Sequence, residues 1–297
     1  MVVAATGFFD GVHIGHQAVL SALCRLAEEQ GTPPVVITFW PHPRAVLQSD
    51  AAKFRLLNGL EEKKELLLLY GVSHVHVLSF SQEFSLMSAR TFFADCLQAQ
   101  YGVTHLVVGY DHRVGHDGGQ GCAWLEAEAR STGLHLTRVA EALCDGKVVS
   151  STKIREAILD GNMDLANRWL GYSYELFGVV VEGNRLGRTI GFPTANIRLY
   201  EPLKQLPADG VYVVEVALMG KRYKGMMNIG CRPTVGQSLD RTIETYIFDF
   251  DYDIYGLPMA VYPLYRLRGE QGFSSLEMLK QQLSADRERC ISWLSNR

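Results

Sequence analysis

Short apolar runs alternate with helical patterns through the first half of the chain: Val2 to Thr6, a helix from near Val12 toward Gln30, Val35 to Phe39, a helix from Leu60, Val75 to Phe80, a helix from Ser88, His105 to Gly109, a helix from Cys122, and Leu134 to Val139. In the first helix Val19, Leu20, Leu23 and Leu26 share one face. Strands rich in Val and Leu, spaced by helices, predict an α/β domain: a parallel, doubly wound sheet buried on both faces, with ligands beyond the carboxyl ends of its strands. Past Gly171 the pattern turns to strands and turns: Phe177 to Val181, Gly210 to Leu218, Arg222 to Ile229, Thr242 to Phe250 and Met259 to Arg268. An antiparallel barrel or sandwich follows from these, closed by one helix from about Ser274 to Trp293 that covers an open end. The expected division is 1–170 and 171–297.

The chain has 297 residues, 47% of them apolar and 21% charged, which suits two globular domains and excludes disorder. A net charge of -3 provides no general attraction to nucleic acid, so nucleotides are the expected phosphate partners. Six cysteines without a CxxC spacing suit reduced thiols and a cytoplasmic setting. No apolar run reaches membrane-spanning length. The chain opens directly in a strand, which points to a short missing leader.

The richest segment is Gly7-Phe8-Phe9-Asp10-Gly11-Val12-His13-Ile14-Gly15-His16, a glycine-bracketed strand-to-helix turn. His13 and His16 are i, i+3 neighbours on the first helical turn, where free backbone N–H groups and the helix dipole favour an anion. Gly7, Phe9, Asp10 and Gly15 are expected beside them at a polyphosphate. One capping and one packing histidine is the plainer alternative; a metal pair ranks below phosphate because no third ligand sits at usable spacing. Trp40 to Arg44 and Gly109 to Arg113 follow later strands, so three loops can face one crevice. Ser150-Ser151-Thr152-Lys153-Ile154-Arg155 places three hydroxyls and two cations at a second helix start.

The HxGH turn with the SSTxxR helix resembles the nucleotidyltransferase superfamily, which implies that the two motifs grip the triphosphate of ATP from two sides, with Ser151, Thr152 and Arg155 on the β and γ groups or the incoming phosphate. Gly183-Asn184-Arg185-Leu186-Gly187-Arg188-Thr189-Ile190-Gly191-Phe192-Pro193-Thr194-Ala195-Asn196 resembles the signature of riboflavin kinases. Asn228 to Thr234 and Thr242 to Tyr246 match the same family in order. Nearly the whole chain therefore resembles the bifunctional prokaryotic riboflavin kinase/FMN adenylyltransferase family, also called FAD synthetases.

The resemblance implies a Rossmann-like nucleotidyltransferase domain and a six-stranded antiparallel kinase barrel with a terminal helix. It implies ATP as co-substrate, riboflavin, FMN and FAD as substrates and products, and Mg2+ as cofactor. Glu244 would be the kinase base, Thr194 and Asn196 would sit at the magnesium, and the segment from Gly183 through Gly187, Arg188 and Gly191 to Pro193 would fold over the phosphates. On its own, Glu244 reads as a solvated strand carboxylate and Thr194 to Asn196 as a turn after proline.

Two loops depart from the family pattern. Phe8 replaces a common asparagine, and Gly109-Tyr110-Asp111-His112-Arg113-Val114-Gly115 replaces GxDFxFG. Tyr110, Asp111 and Arg113 remain the expected flavin-binding residues. The runner-up is a kinase whose first domain is a degenerate regulatory or flavin-holding module; a non-catalytic flavin carrier and a transferase for another substrate rank lower. A monomer or weak homo-oligomer is expected, with no nucleic-acid or membrane partner.

Overall fold

The computed structural model describes residues 1–47, 54–117, 121–183, 186–232 and 240–296. Asn184 and Arg185 of the glycine-rich signature, and Pro233 and Thr234 of the Asn228 to Thr234 match, lie outside the described residues. Two compact units comprise Met1–Ser151 and Thr152–Arg297.

In the first unit the order is β1 (Val2–Thr6), α1 (Ile14–Glu29), β2 (Pro34–Trp40), α2 (Pro43–Leu47), α3 (Leu60–Leu69), β3 (His74–Ser79), α4 (Gln82–Ser85), α5 (Ala89–Thr91), wider π-helical turns over Phe92–Gln100, β4 (Val103–Gly109), α6 (Cys122–Ser131), β5 (His135–Val139) and the small hairpin β6 (Leu143–Cys144) with β7 (Lys147–Val148). The main sheet is parallel in the order β3-β2-β1-β4-β5. Strand alternation divides its core: Val3 and Ala5 join Leu20, Leu23 and Leu67 on one face, while Ala4 joins Ile37, Phe93, Leu97 and Leu106 on the other. Both faces are apolar, as the Val-rich strands predict. The strand order reverses between β1 and β4, so the loops after these strands flank the crevice where doubly wound sheets bind ligands.

The second unit begins with α7 (Ser151–Leu159), whose first residue falls in the first unit, and α8 (Met163–Leu170), which is capped by Asn162 and closed by Gly171 in the left-handed region. Then come β8 (Leu176–Val181), α9 (Leu186–Thr189), β9 (Ala195–Leu199), β10 (Gly210–Leu218), β11 (Lys221–Arg232), β12 (Asp240–Ile247), β13 (Pro258–Arg268) and α10 (Leu276–Ser295). Six strands close a barrel in the order β10-β11-β12-β9-β8-β13. Tyr212, Val214, Met227, Ile229, Ile243 and Thr245 alternate inward and are buried. Val213 and Met226 point outward, where Cys290 and Leu283 of α10 cover them.

Four readings of the chain change. A closed barrel replaces the choice between barrel and sandwich. Ala195 to Leu199 is a strand where residue chemistry alone suggested a turn, because pairing with β8 and β12 supplies what local propensity lacks. Strand β12 stops at Ile247 rather than Phe250, and Asp249 turns the chain with φ 53°. Helix α10 packs on the outer wall of β10 and β11 rather than being seen to plug an end.

Candidate active sites

In the first unit the chain leaves β1 through an unusual backbone: Phe9 at φ 48°, Gly11 at 86° and Val12 at 32°. Two side chains heavier than alanine in the left-handed region are uncommon, and such strain concentrates where a turn has a job beyond connecting elements. The turn delivers His13 to the N-cap of α1 and His16 to its first turn, with their rings stacked at 3.8 Å. Phe9 meets His16 edge-on at 5.3 Å. Gly15 must be small, since a Cβ there would stand 3.0 Å from the His13 ring. Burial, reinforced by His13, Lys63 and His112, holds His16 well below the ordinary imidazole pKa. His16 is therefore neutral and can donate N–H to an anion at the helix N-terminus.

The turn is pinned from beneath. Asp10 accepts from the backbone N–H groups of Leu57 (3.1 Å) and Asn58 (3.3 Å), while Ser151 Oγ donates to the Asp10 carbonyl at 2.8 Å. Thus Asp10 holds the turn, and Ser151 joins the second motif to the first within this unit. Lys63, 4% exposed, donates to the carbonyls of Phe8 (3.2 Å) and Phe39 (3.3 Å), tying the exits of β1 and β2 together. Its burial lowers the ammonium pKa to about 8, against the pull of Asp10. Thr152 is exposed and Arg155 half-buried, both on α7 after Ser151.

Beside the HxGH turn lies a cavity of about 200 Å³, lined by Thr6 and Gly7, by Phe39, Phe80 and Phe84, and by His112 and Arg113. Its phenylalanines make an apolar slot suited to a flat ring. Of the expected flavin residues, Arg113 lines this slot. Tyr110 and Asp111 are exposed outside its lining, and the Tyr110 carbonyl accepts from Arg138 at 2.7 Å.

In the second unit the strand registers assemble the site. Asn196 of β9 stands opposite Glu244 of β12, and Glu244 opposite Asn228 of β11. These three polar side chains form one row on the outer barrel wall, and Thr194 Oγ1 donates to Glu244 Oε2 at 3.2 Å. A Cβ at Gly183 would overlap the Asn196 amide, and one at Gly187 would overlap the Phe192 carbonyl, so the glycine-rich segment can lie this close only without side chains. Gly191 turns the chain at φ 86°. Two cavities meet at Thr194. One, about 330 Å³, runs past Glu244, Asn228, Arg268 and Glu270 to Leu279 and Leu283 of α10. The other, about 310 Å³, is bordered by Arg188, Pro193, Thr245, Phe250 and Tyr252.

Among the described residues no cluster of three His, Cys, Asp or Glu has the form of a metal site. The oxygens of Thr194 and Asn196 are nevertheless the hard, uncharged donors that magnesium accepts alongside phosphate oxygens, so the donor set fits that ion. Sequence reasoning did not single out Lys63, the phenylalanine slot, Arg268 or Asn228. Phe80 and Phe84 have i, i+4 spacing, and Asn228 falls in a matched segment, but only the tertiary fold shows what they face.

A parallel nucleotide-binding sheet with an HxGH helix start, followed by a closed barrel carrying a Thr-Asn-Glu row between two cavities, defines a two-domain nucleotide-dependent transferase. Residues 1–153 match the FAD synthetase family model, and residues 170–294 match the riboflavin kinase model. Curated relatives include the bifunctional riboflavin kinase/FMN adenylyltransferases of Listeria monocytogenes, 38% identical over 96% of this chain and 90% of the relative, and of Bacillus subtilis, 35% identical over 99% and 93%. The Escherichia coli enzyme of that name is 37% identical over 96% and 90%. The crystal structure of a macrolide-efflux protein from Streptococcus pneumoniae superposes with TM-score 0.90 at 34% identity, covering 98% of this chain and 94% of that one. Among the described residues no helix is long and apolar enough to cross a membrane. The chain belongs to the bifunctional riboflavin kinase/FMN adenylyltransferase family.

Proposed function

We infer that the chain phosphorylates riboflavin to FMN with ATP in its barrel and transfers AMP from a second ATP to FMN in its sheet domain, releasing pyrophosphate. The proposed division of labour follows the expected domains, 1–170 for the transferase and 171–297 for the kinase. The observation that carries the reading is Thr194, which lines both barrel cavities and hydrogen-bonds Glu244 at their seam. A kinase-only chain is not favoured, because both halves match their own family models.

In the kinase, riboflavin occupies the cavity under α10 and ATP the one beside Phe250. The riboflavin hydroxyl attacks the γ-phosphorus, its proton passes to Glu244, and the bond to ADP breaks. Thr194 and Asn196 hold Mg2+, which when bound neutralises phosphate charge. Gly183, Gly187, Arg188, Gly191 and Pro193 shape the phosphate side.

In the transferase, the FMN ring enters the phenylalanine slot with Arg113 at its border, and Tyr110 and Asp111 stand outside. An FMN phosphate oxygen attacks the α-phosphorus and pyrophosphate leaves. His13 and His16 donate to the oxygens on which charge grows, while Ser151, Thr152 and Arg155 hold the remaining phosphates. Gly7, Phe9, Asp10 and Gly15 keep the turn in shape for this. Six free cysteines suit a reducing cytoplasm. Neither proposed site calls for a second copy of the chain, in keeping with a monomer or weak homo-oligomer, and the net charge of -3 offers nucleic acid nothing.

Feeding purified protein riboflavin, ATP and magnesium, and resolving the flavins by chromatography, tests the reading. FMN should form first and FAD follow. FMN without FAD would remove the second activity, and unconverted riboflavin would remove the first.

A further inference from the structure

Helix α3 places a lysine beneath the HxGH turn. Lys63 is buried, and its Nζ donates to the carbonyls of Phe8 and Phe39 at 3.2 and 3.3 Å. The Phe8 carbonyl belongs to the peptide that leads into Phe9, where the chain first enters the left-handed region, so the ammonium holds the start of the turn. The same stretch of chain grips the turn again, because Asp10 Oδ1 accepts from the N–H groups of Leu57 and Asn58 just before α3. A buried ammonium is expensive, and packing alone would be met by an apolar side chain, so the charge itself calls for a reason. Its effects are felt at two groups: Asp10 draws Lys63 toward the protonated form, and Lys63 helps keep His16 neutral, as His13 and His112 also do. The exit of β2 presents the Phe39 carbonyl and, 5.6 Å away, the Trp40 ring. On α3 itself Glu62 is turned to the Gly59 N–H and Lys64 to Glu61. The carboxylate that fastens the turn would repel a polyphosphate bound there, and the one buried cation that feels Asp10 is Lys63.

We propose that Lys63 is a positioning residue for adenylyl transfer: as an ammonium it fixes the Phe8 carbonyl at the start of the HxGH turn and offsets the Asp10 carboxylate, so the turn loses its hold on ATP when Lys63 gives up its proton. The inference rests on the reading that the HxGH turn binds ATP, and deepens it by naming the charge that makes the turn fit for an anion. Burial brings the Lys63 pKa down to about 8, so the proton is lost just above neutrality. A polyphosphate bound at the turn favours the ammonium and raises that value. The alkaline loss therefore falls on kcat/KM for ATP, which reports the free protein, while kcat holds to higher pH. Stability runs the other way. Between about pH 8 and the ordinary lysine value the unfolded chain binds more protons at this residue than the folded one, so the contribution of Lys63 to stability rises with pH. Its deprotonation cannot lower activity by unfolding the domain.

The test uses the full chain, with FMN supplied, ATP varied and FAD measured from pH 7 to pH 9.5; riboflavin phosphorylation at pH 7.5 is the folding control. In wild type, kcat/KM for ATP should fall about tenfold per pH unit above about pH 8, with kcat nearly level. Lys63→Arg, which stays charged throughout this range, should abolish the fall. Lys63→Met should lower kcat/KM for ATP about ten- to a hundredfold at pH 7.5, the loss expected for one hydrogen bond from a charged group, and leave it flat above pH 8. If Lys63→Met also loses riboflavin phosphorylation, the wild-type profile and Lys63→Arg decide the matter. A wild type without the alkaline fall, or a fall that persists in Lys63→Arg or Lys63→Met, would overturn the proposal while leaving the transferase reading in place. No FAD from wild type at any pH would bring down that reading, and the proposal with it.

Discussion

At the scale of single residues, the two sites work by opposite electrostatic routes. In the sheet domain, burial keeps charge off the His16 imidazole. Losing one well-placed donor to developing charge costs about 2.7–4 kcal/mol, so His16→Ala should cut FAD formation about a hundred- to a thousandfold while FMN formation continues. Near-normal FAD output from that variant would remove His16 from the mechanism. The same neutrality has a cost in acid. His16 and His112 have folded pKa values below the ordinary imidazole value, so the unfolded chain binds more protons and stability falls as pH drops below about 6.5. For His112 the loss continues to about pH 4. At pH 5 it amounts to at most about 2 kcal/mol for that ring. Urea midpoints at pH 7.5 and pH 5 should therefore move apart less in His112→Phe than in wild type; an identical separation would mean the ring is free to titrate. In the barrel, Glu244 already carries a hydrogen bond from Thr194 and is the proposed proton acceptor. A positioned base contributes about a hundred- to ten-thousandfold, and Glu244→Gln should remove that share of FMN formation.

At the scale of elements, α10 is held to the barrel by a buried ion pair. Asp286, fully buried, receives Arg268 Nε at 2.9 Å, and Gln282 donates to its other oxygen at 2.9 Å. Arg268 also lines the proposed riboflavin cavity, so the pair links helix docking to the shape of the site. Removing one partner of a buried pair leaves the other uncompensated and costs about 3–5 kcal/mol. Asp286→Ala should lower the denaturation midpoint and raise the KM for riboflavin, with FMN-to-FAD turnover unchanged. An unchanged riboflavin KM would confine the pair to stability.

The elements also show what is legible along the chain. Strands β1 and β10 end where the apolar pattern ends, because β1 is dense in buried Val and Ala and β10 in buried Val. Strand β9 escapes because it follows Pro193 and gains its pairing with β12 through only two residue pairs, Asn196 with Glu244 and Thr245 with Ala195. That contact has no local periodic signal, yet it builds the kinase row. Motif residues could be read from spacing, but the carboxylate of Asp10 could not be placed on Leu57 and Asn58, nor His112 in a cavity, without long-range packing.

At the scale of the whole molecule, a net charge of -3 means that no global field draws in polyphosphates, so each site must create its own attraction locally. In the proposed reading the HxGH helix start does so in one unit, and the Thr-Asn-Glu row, with the Mg2+ it would hold, does so in the other. Two local devices imply two separable activities. His16→Ala should convert riboflavin to FMN and stop; Glu244→Gln should make FAD from added FMN but nothing from riboflavin. Mixed in equal amounts with riboflavin and ATP, the two variants should together form FAD after a lag in which FMN accumulates, because each supplies the step the other lacks. The lag should shorten as total protein rises, since FMN then crosses solution to reach a working transferase sooner. If the mixture makes no FAD although each variant retains its own half-reaction, FMN does not leave the barrel that makes it, and the picture of two independently fed sites is wrong.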